Sequence, residues 1–298
     1  MPFRSTLLHL RIPFSFFLLP IFLFAVAVSP NLILGRLIWI LFILHVLVYP
    51  ASNGYNSYFD KDTKSIGGLR NPPPVTPALY WVSLLLDVMA LVLALYYVSP
   101  GFALMILIYG LASKAYSHPR IRLKKMPFTG WLVTGFFQGF FTFLACFMGL
   151  NKFEFSSLLQ LHILWPATLT SLMLWANYPM TQIYQHEEDS ARGDKTLSLL
   201  LGVRGTFHFT ASIFGVATLG FVFYFMRYYT ERQAVVFLLS LLPVLFYFGF
   251  WFMRVWKDPS HADFRHTMWL NLVSSSMLTF FFIWLLFDTR NVGRYLFD

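Results

Sequence analysis

The sequence predicts an all-α polytopic membrane protein with about nine transmembrane helices, and three observations predict it. Hydrophobic residues make up 57% of the 298 positions and charged residues only 12%, about half the charge a water-soluble domain carries. Apolar runs of about 20 residues recur along the chain, each long enough to cross ~30 Å of hydrocarbon at ~1.5 Å per residue. Short clusters of charge, proline and glycine separate these runs. A chain solvated by lipid must pair its backbone groups inside each span and place its breaks outside.

Read between those clusters, the spans fall at 13–34, 37–57, 77–98, 101–117, 128–150, 157–178, 206–229, 233–256 and 266–288. No soluble second domain interrupts them, so residues 1–298 are expected to form a single transmembrane domain. Of the 22 lysines and arginines, all but Arg36, Lys152, Arg227, Arg232, Arg290 and Arg294 lie on one side of this arrangement. By the positive-inside rule that side is cytoplasmic. The expectation is an integral protein of the cell (inner) membrane, with its N-terminus cytoplasmic and its C-terminus outside.

Several function classes are excluded by the same reading. The net charge of +9 sits between spans rather than along one face, which fits membrane topology and no nucleic-acid partner. Cys146, the single cysteine, lies inside an apolar run, so neither a disulfide frame nor a thiolate metal site is available. Arg4 and Arg11 precede an apolar run ending near Ala25, Val26 and Ala27, the outline of a signal peptide. The length of that run, and the charge pattern that needs it, make it the first span.

Two hydrophilic segments stand out, 53–76 and 180–205, each following the second span of a four-helix group. This is the spacing of a weak internal repeat that delivers related loops to one site on the cytoplasmic side. If the second span continues as helix, Asn56 and Asp60 lie four apart on one face, with Asn53 a turn earlier. Gln185 and Asp189 share a face in the same way, with Glu188 three residues from Gln185. Asp60, Asp62, Glu187, Glu188, Asp189 and Asp194 supply six of the chain's 13 acidic residues. Carboxylates beside lysine and arginine at a membrane surface suit a magnesium-diphosphate ligand: hard oxygens hold the metal and basic groups take the remaining phosphate charge. The competing reading is a pair of solvated loops carrying topogenic charge.

The paired arrangement resembles the UbiA superfamily of intramembrane prenyltransferases, whose first motif is Asn-Asp-x-x-Asp-x-x-x-Asp and whose second is Asp-x-x-x-Asp. The resemblance rests on Asn56 and Asp60, on Asp189, on Arg192-Gly193-Asp194-Lys195-Thr196-Leu197 with Leu201-Gly202, and on the connector from Tyr116-Ser117-His118 to Arg122-Leu123-Lys124. Ser57 and Lys64 stand where the first motif has acids, and Gln185 where the second opens with aspartate. The resemblance implies a UbiA-type bundle and magnesium-dependent transfer of a polyprenyl group from an allylic polyprenyl diphosphate to a hydrophobic or aromatic acceptor within the lipid bilayer. A quinone precursor is the default acceptor. It also implies Asp60 and Asp189 as catalytic metal ligands, with Asn56, Asp62, Gln185 and Glu188 completing the metal set. Arg122, Lys124, Arg192 and Lys195 are the candidate diphosphate contacts. The alternative, kept open by the missing acids, is a catalytically silent lipid-binding relative or a transporter.

Two residues within spans and one in the second polar segment need separate comment. Asp87 is costly as an isolated charge in hydrocarbon, so it is expected to face the bundle interior and to have a partner. His45 is expected to serve helix packing. His186 lies in the second segment, but magnesium prefers oxygen and the imidazole is not expected to be a ligand.

Overall fold

The computed structural model describes residues 2–290, and Arg294 lies outside them. Helices dominate the described residues, whose one extended pairing is an isolated bridge between Ile66 and Leu69. In chain order they are α1 (Phe3–Ala27), α2 (Leu34–Asp60), α3 (Pro77–Tyr97), α4 (Pro100–Ser117), α5 (Pro127–Asn151), α6 (Leu161–Asn177), α7 (His186–Arg192), α8 (Leu197–Tyr228), α9 (Glu231–Lys257) and α10 (Phe264–Thr289). Seven of these are long and apolar enough to cross a membrane: α1, α2, α3, α5, α8, α9 and α10. The other two expected spans are also helical, but shorter, at 18 residues for α4 and 17 for α6. α7 is a short helix within the second polar segment.

Helix starts follow from local chemistry. Pro77, Pro100 and Pro127 occupy first turns, where a missing N–H costs no hydrogen bond. Ser99 caps α4, Thr196 caps α8 and Asp263 caps α10, each accepting from a backbone N–H of the first turn. Two boundaries differ from the hydropathy reading. α1 begins ten residues before position 13, because Ser5, Thr6 and His9 hydrogen-bond Pro74, Thr76 and Pro73 of the first loop rather than meeting lipid. α8 begins at Leu197, ahead of position 206, and breaks at Gly202, where φ of +69° suits glycine.

Burial inverts the pattern of a soluble protein. On α3, Trp81, Leu85, Val88, Val92 and Leu95 are exposed at helical spacing, while Leu79, Ser83, Ala90 and Ala94 face inward. The outward stripe is a lipid face and the inward one a small-residue seam, the arrangement that lets helices approach closely in a membrane. α10 packs on α9 and α1, while α8 packs on α6 and α9. Between them Phe24 stacks on Phe282 at 4.5 Å, with Phe143 and Phe221 each 5.4 Å away. Asp87 finds the partner expected of it in Lys114 of α4, at 2.5 Å. His45 packs edge-on against Phe22 and Tyr49, and Cys146 is fully buried and free.

α5 contains a π turn over Phe136–Phe141. Such a turn displaces backbone groups from their usual partners, and Ser171 of α6 takes both: its Oγ donates to Gly135 O at 2.8 Å and accepts from Phe140 N at 2.9 Å. Gly139 makes the approach possible, since a Cβ there would lie 2.6 Å from the Ser171 backbone. Gly139→Ala is therefore expected to cost about 1–3 kcal/mol of stability through overpacking. Gly249→Ala, inside α9 with nothing within 4 Å of its added methyl, should hold stability or raise it by up to about 1 kcal/mol. Thermal unfolding of the detergent-solubilised protein, compared between the two variants, checks this.

Candidate functional site

The two polar segments, more than a hundred residues apart in sequence, are laced together. Glu188 of α7 accepts hydrogen bonds from the backbone N–H of Thr63 at 3.1 Å and of Lys64 at 2.9 Å, and from the Thr63 hydroxyl at 3.2 Å. Gln185 donates to Ser65 O at 3.3 Å, and Lys64 pairs with Glu187 at 2.5 Å on the exposed side. Lys64, standing where an acid was expected, thus ties the loops together. The connector between α4 and α5 joins them through Lys195 N, which donates to Lys125 O at 3.1 Å.

Inside this lacing lies a cluster of buried charge. Asp60, at the last turn of α2, pairs with Lys124 and, at 3.4 Å, with Arg122. Arg122 also grips Asp194 through two parallel bonds of 2.8 and 2.7 Å, the fork geometry that guanidinium and carboxylate share. Arg192 reaches three acids: Asp62, Asp189 at 2.9 Å and Asp194 at 3.6 Å. Arg11 enters from α1, where it adopts φ of +48° and donates to Gly67 O at 3.2 Å and Asn53 O at 3.3 Å. Four carboxylates thus meet four cations.

Burial and charge compete at each acid. Burial pushes the Asp189 carboxyl up to about 6 despite its Arg192 partner. Burial, and then the neighbouring Asp60, raise Asp62 as well. At Asp194 burial is outweighed by the Arg122 fork, which holds the carboxyl below the usual range. Arg122 is held more firmly protonated by its bond to Asp194. Arg192 is held so by Asp62 and Asp60 against the effect of burial. These are the shifts expected where desolvation and opposite charge act together.

A cavity of about 220 Å³ opens onto this cluster. Of the residues singled out in the sequence, Asn56, Asp60, Asp62, Lys124, Gln185, Asp189 and Arg192 line it; Arg122, Glu188 and Lys195 do not. Arg122 braces Asp60 and Asp194 from behind, Glu188 ties the loops, and Lys195 is exposed. Two lining charges were missed in the sequence. Asp194 sits in the quoted Arg-Gly-Asp stretch without a role assigned to it. Arg11 was read only as a flanking charge, although Pro13 two residues on marks a break there. Among the described residues, no three His, Cys, Asp or Glu side chains gather as a ready metal cluster. Instead each acid is held by a cation, while all the acceptor atoms offered are hard oxygens.

Comparison with known proteins agrees with this architecture. The family model described as the UbiA prenyltransferase family matches residues 16–286, and the chain belongs to that family. A UbiA homologue from Archaeoglobus fulgidus, in a structure bound to GPP and Mg2+, superposes with a TM-score of 0.66 at 15% identity, covering 95% of this chain and 99% of that one. The same homologue bound to DMAPP and Mg2+ gives the same values. A structure of digeranylgeranylglyceryl phosphate synthase superposes with a TM-score of 0.61 at 16% identity, over 96% of this chain and 99% of that one. At such identity these likenesses concern the fold. No curated protein sequence matches the chain.

A divalent cation held by Asp189 would require that carboxyl to be ionised. Cation affinity is therefore expected to rise as pH increases through about 6, with proton release on binding at pH 6 but not well above it. Isothermal titration in buffers of different ionisation enthalpy measures that release; affinity independent of pH across this window would remove Asp189 from the cation site.

Proposed function

We propose that the chain transfers a polyprenyl group from an allylic polyprenyl diphosphate to an acceptor in the membrane, with magnesium as cofactor. The observation that carries this reading is the matched set of buried charges at the junction of the two loops. Oxygen-only donors and paired cations are what a magnesium-diphosphate requires, and the residues present fit that group.

In the free chain the acids are neutralised by Lys124, Arg122 and Arg192. Asp60 and Asp189, supported by Asn56, Asp62 and Gln185, would hold magnesium, and Lys124, Arg192 and Arg11 would receive phosphate oxygens of the donor. Magnesium supplies positive charge that stabilises the departing diphosphate. Arg122 keeps its fork on Asp194 and so keeps Asp60 aimed. Glu188 holds the two loops at a fixed separation, and Lys195 draws the anionic donor to the mouth.

The bond that breaks joins the allylic carbon to the diphosphate oxygen, and its electrons leave with the diphosphate. The bond that forms joins that carbon to an electron-rich atom of the acceptor, which then loses a proton. The prenyl chain needs apolar room. A second cavity of about 490 Å³, walled mainly by apolar side chains of α1, α6, α8, α9 and α10, offers such room. A quinone precursor is the acceptor we favour. The charge pattern supports placement in the cell (inner) membrane with the loops and N-terminus cytoplasmic and the C-terminus outside.

The test is diphosphate release from labelled geranyl, farnesyl and longer donors by membranes containing the protein, with an acceptor panel and with magnesium or chelator. Asp60→Asn and Asp189→Asn are each expected to lower turnover at least ~100-fold, the scale of losing one charge-stabilising group. No release from protein that still binds the donor would move the assignment to a silent lipid-binding relative, and labelled flux without release would make it a transporter.

A further inference from the structure

His186 opens α7 and stands outside the proposed ligand set, yet it is half-buried and hydrogen-bonded. Its Nε2 lies 2.7 Å from the Ser198 hydroxyl, which lies 3.0 Å from that of Thr206. Thr206 in turn donates to Gly202 O at 2.7 Å. Both hydroxyl residues are fully buried. With the Thr206 proton on that carbonyl, the run is satisfied when Ser198 donates to Thr206 and His186 carries its hydrogen on Nε2. The run thus begins on α7 and ends at the residue where α8 breaks, with φ of +69°. Ser198 is fixed a second way, since its backbone N–H donates to Gln182 Oε1 at 3.5 Å.

A helix of seven residues does not persist by itself, so the direction in which α7 points is set by its ties to other elements. Towards the first loop these are Gln185, Glu188 and Arg192. Towards α8 there are two. His186 meets Ser198, and Asp189 accepts from the Thr196 hydroxyl at 3.4 Å, the same hydroxyl that caps α8. His186 and Asp189 are three apart and lie on one face of α7, while Thr196 and Ser198 belong to the opening turn of α8. These ties are unequal. Gln185, Asp189 and Arg192 are groups that the proposed cation and donor would engage, and the Thr196 contact is long. Glu188 and His186 stand apart from the ligands: Glu188 sets α7 against the first loop, and His186 sets it against α8.

We infer that His186 is a positioning residue: through Ser198 and Thr206 it anchors α7 to the break in α8, and so sets where the Asp189 carboxylate points. The inference rests on the prenyl-transfer reading, in which Asp189 holds the cation, and adds to it a group that touches neither ligand. The break gives the anchor its purpose. A continuous helix through Gly202 would carry the opening turn of α8 by its own backbone bonds, whereas a broken one leaves that turn to be held from the side. Thr206 spans the break, with its hydroxyl within 3.3 Å of Ser198 O as well as bonded to Gly202 O. Removing a group that orients a metal-binding side chain from behind typically weakens metal binding by about 10- to 100-fold.

Cation binding tests this apart from turnover. The full chain in detergent, with geranyl thiolodiphosphate as an unreactive donor analogue, is titrated with Mn2+ and read by electron paramagnetic resonance. His186→Leu is expected to weaken Mn2+ binding by about tenfold or more, and Ser198→Ala in the same direction. His186→Gln keeps an N–H donor near the place of Nε2 and should hold affinity within about threefold of the parent. Gly139→Ala, destabilising at the contact of α5 with α6 and remote from α7, should hold it within about twofold. Affinity unmoved by His186→Leu, or lost equally in His186→Gln or Gly139→Ala, overturns the inference. Amide hydrogen exchange over residues 186–193 of the same proteins without ligand is the second readout. Exchange should quicken in His186→Leu and return to the parent rate in His186→Gln, and exchange unmoved by His186→Leu also overturns the inference. A parent chain that binds neither Mn2+ nor the thiolodiphosphate would count against the prenyl-transfer reading, while the exchange rates still decide whether His186 anchors α7.

Discussion

Everything at the loop end of the bundle depends on charge neutrality where water is scarce. Arg192 is the clearest expression of this, since one guanidinium touches Asp62 from the first polar segment and Asp189 and Asp194 from the second. Removing it would leave buried carboxylates facing one another, an arrangement that typically costs several kcal/mol. The loops are therefore positioned by electrostatic necessity as much as by their backbone bonds. A matched set of acids and bases is also a set that can change partners. On the proposed reading, an incoming ion pair could replace the internal pairs without leaving a buried charge stranded.

The helices hold that cluster by unequal means. α2 and α4 bring Asp60 and Tyr116 to the same level because small side chains on α3 let it seat closely against them. α5 and α6 are pinned by Ser171, which completes the hydrogen bonding of a neighbouring helix. α1 is bent at Arg11, and its polar first turns brace the first loop from outside. Ser5, His9 and Ser171 are thus each spent on backbone groups, as a membrane interior favours.

Much of this was legible in the sequence because lipid imposes a coarse rule that composition and run length obey. Seven of the nine expected spans and the partner required by Asp87 followed from the cost of unpaired polarity in hydrocarbon. Asn56, Asp60, Gln185 and Asp189 were legible because helical spacing places residues four apart on one face. What escaped notice depended on tertiary geometry. Arg11 looked like a flanking charge until a left-handed residue turned it inward. Arg122 looked like a ligand contact, yet its fork is engaged by Asp194, which no local spacing could reveal. The early start of α1 was hidden because Ser5, Thr6 and His9 are polar and find their partners in a loop nearly seventy residues away.

The π turn of α5 also sets the rotational phase of everything after it. A π turn is in effect one inserted residue, and each residue of an α-helix advances the face by about 100°. The ten residues from Thr142 to Asn151 are buried on every side, with Asn151 bonded to Ser29 and to the backbone of Asn31. Deleting one residue between Phe136 and Phe141 would rewind the helix and swing that whole buried segment out of register, carrying Asn151 away from its partners on the far side of the bundle. The length of this chain in mid-span is consequently as constrained as its composition, and variation among its descendants should accumulate by substitution there and by insertion only in the loops.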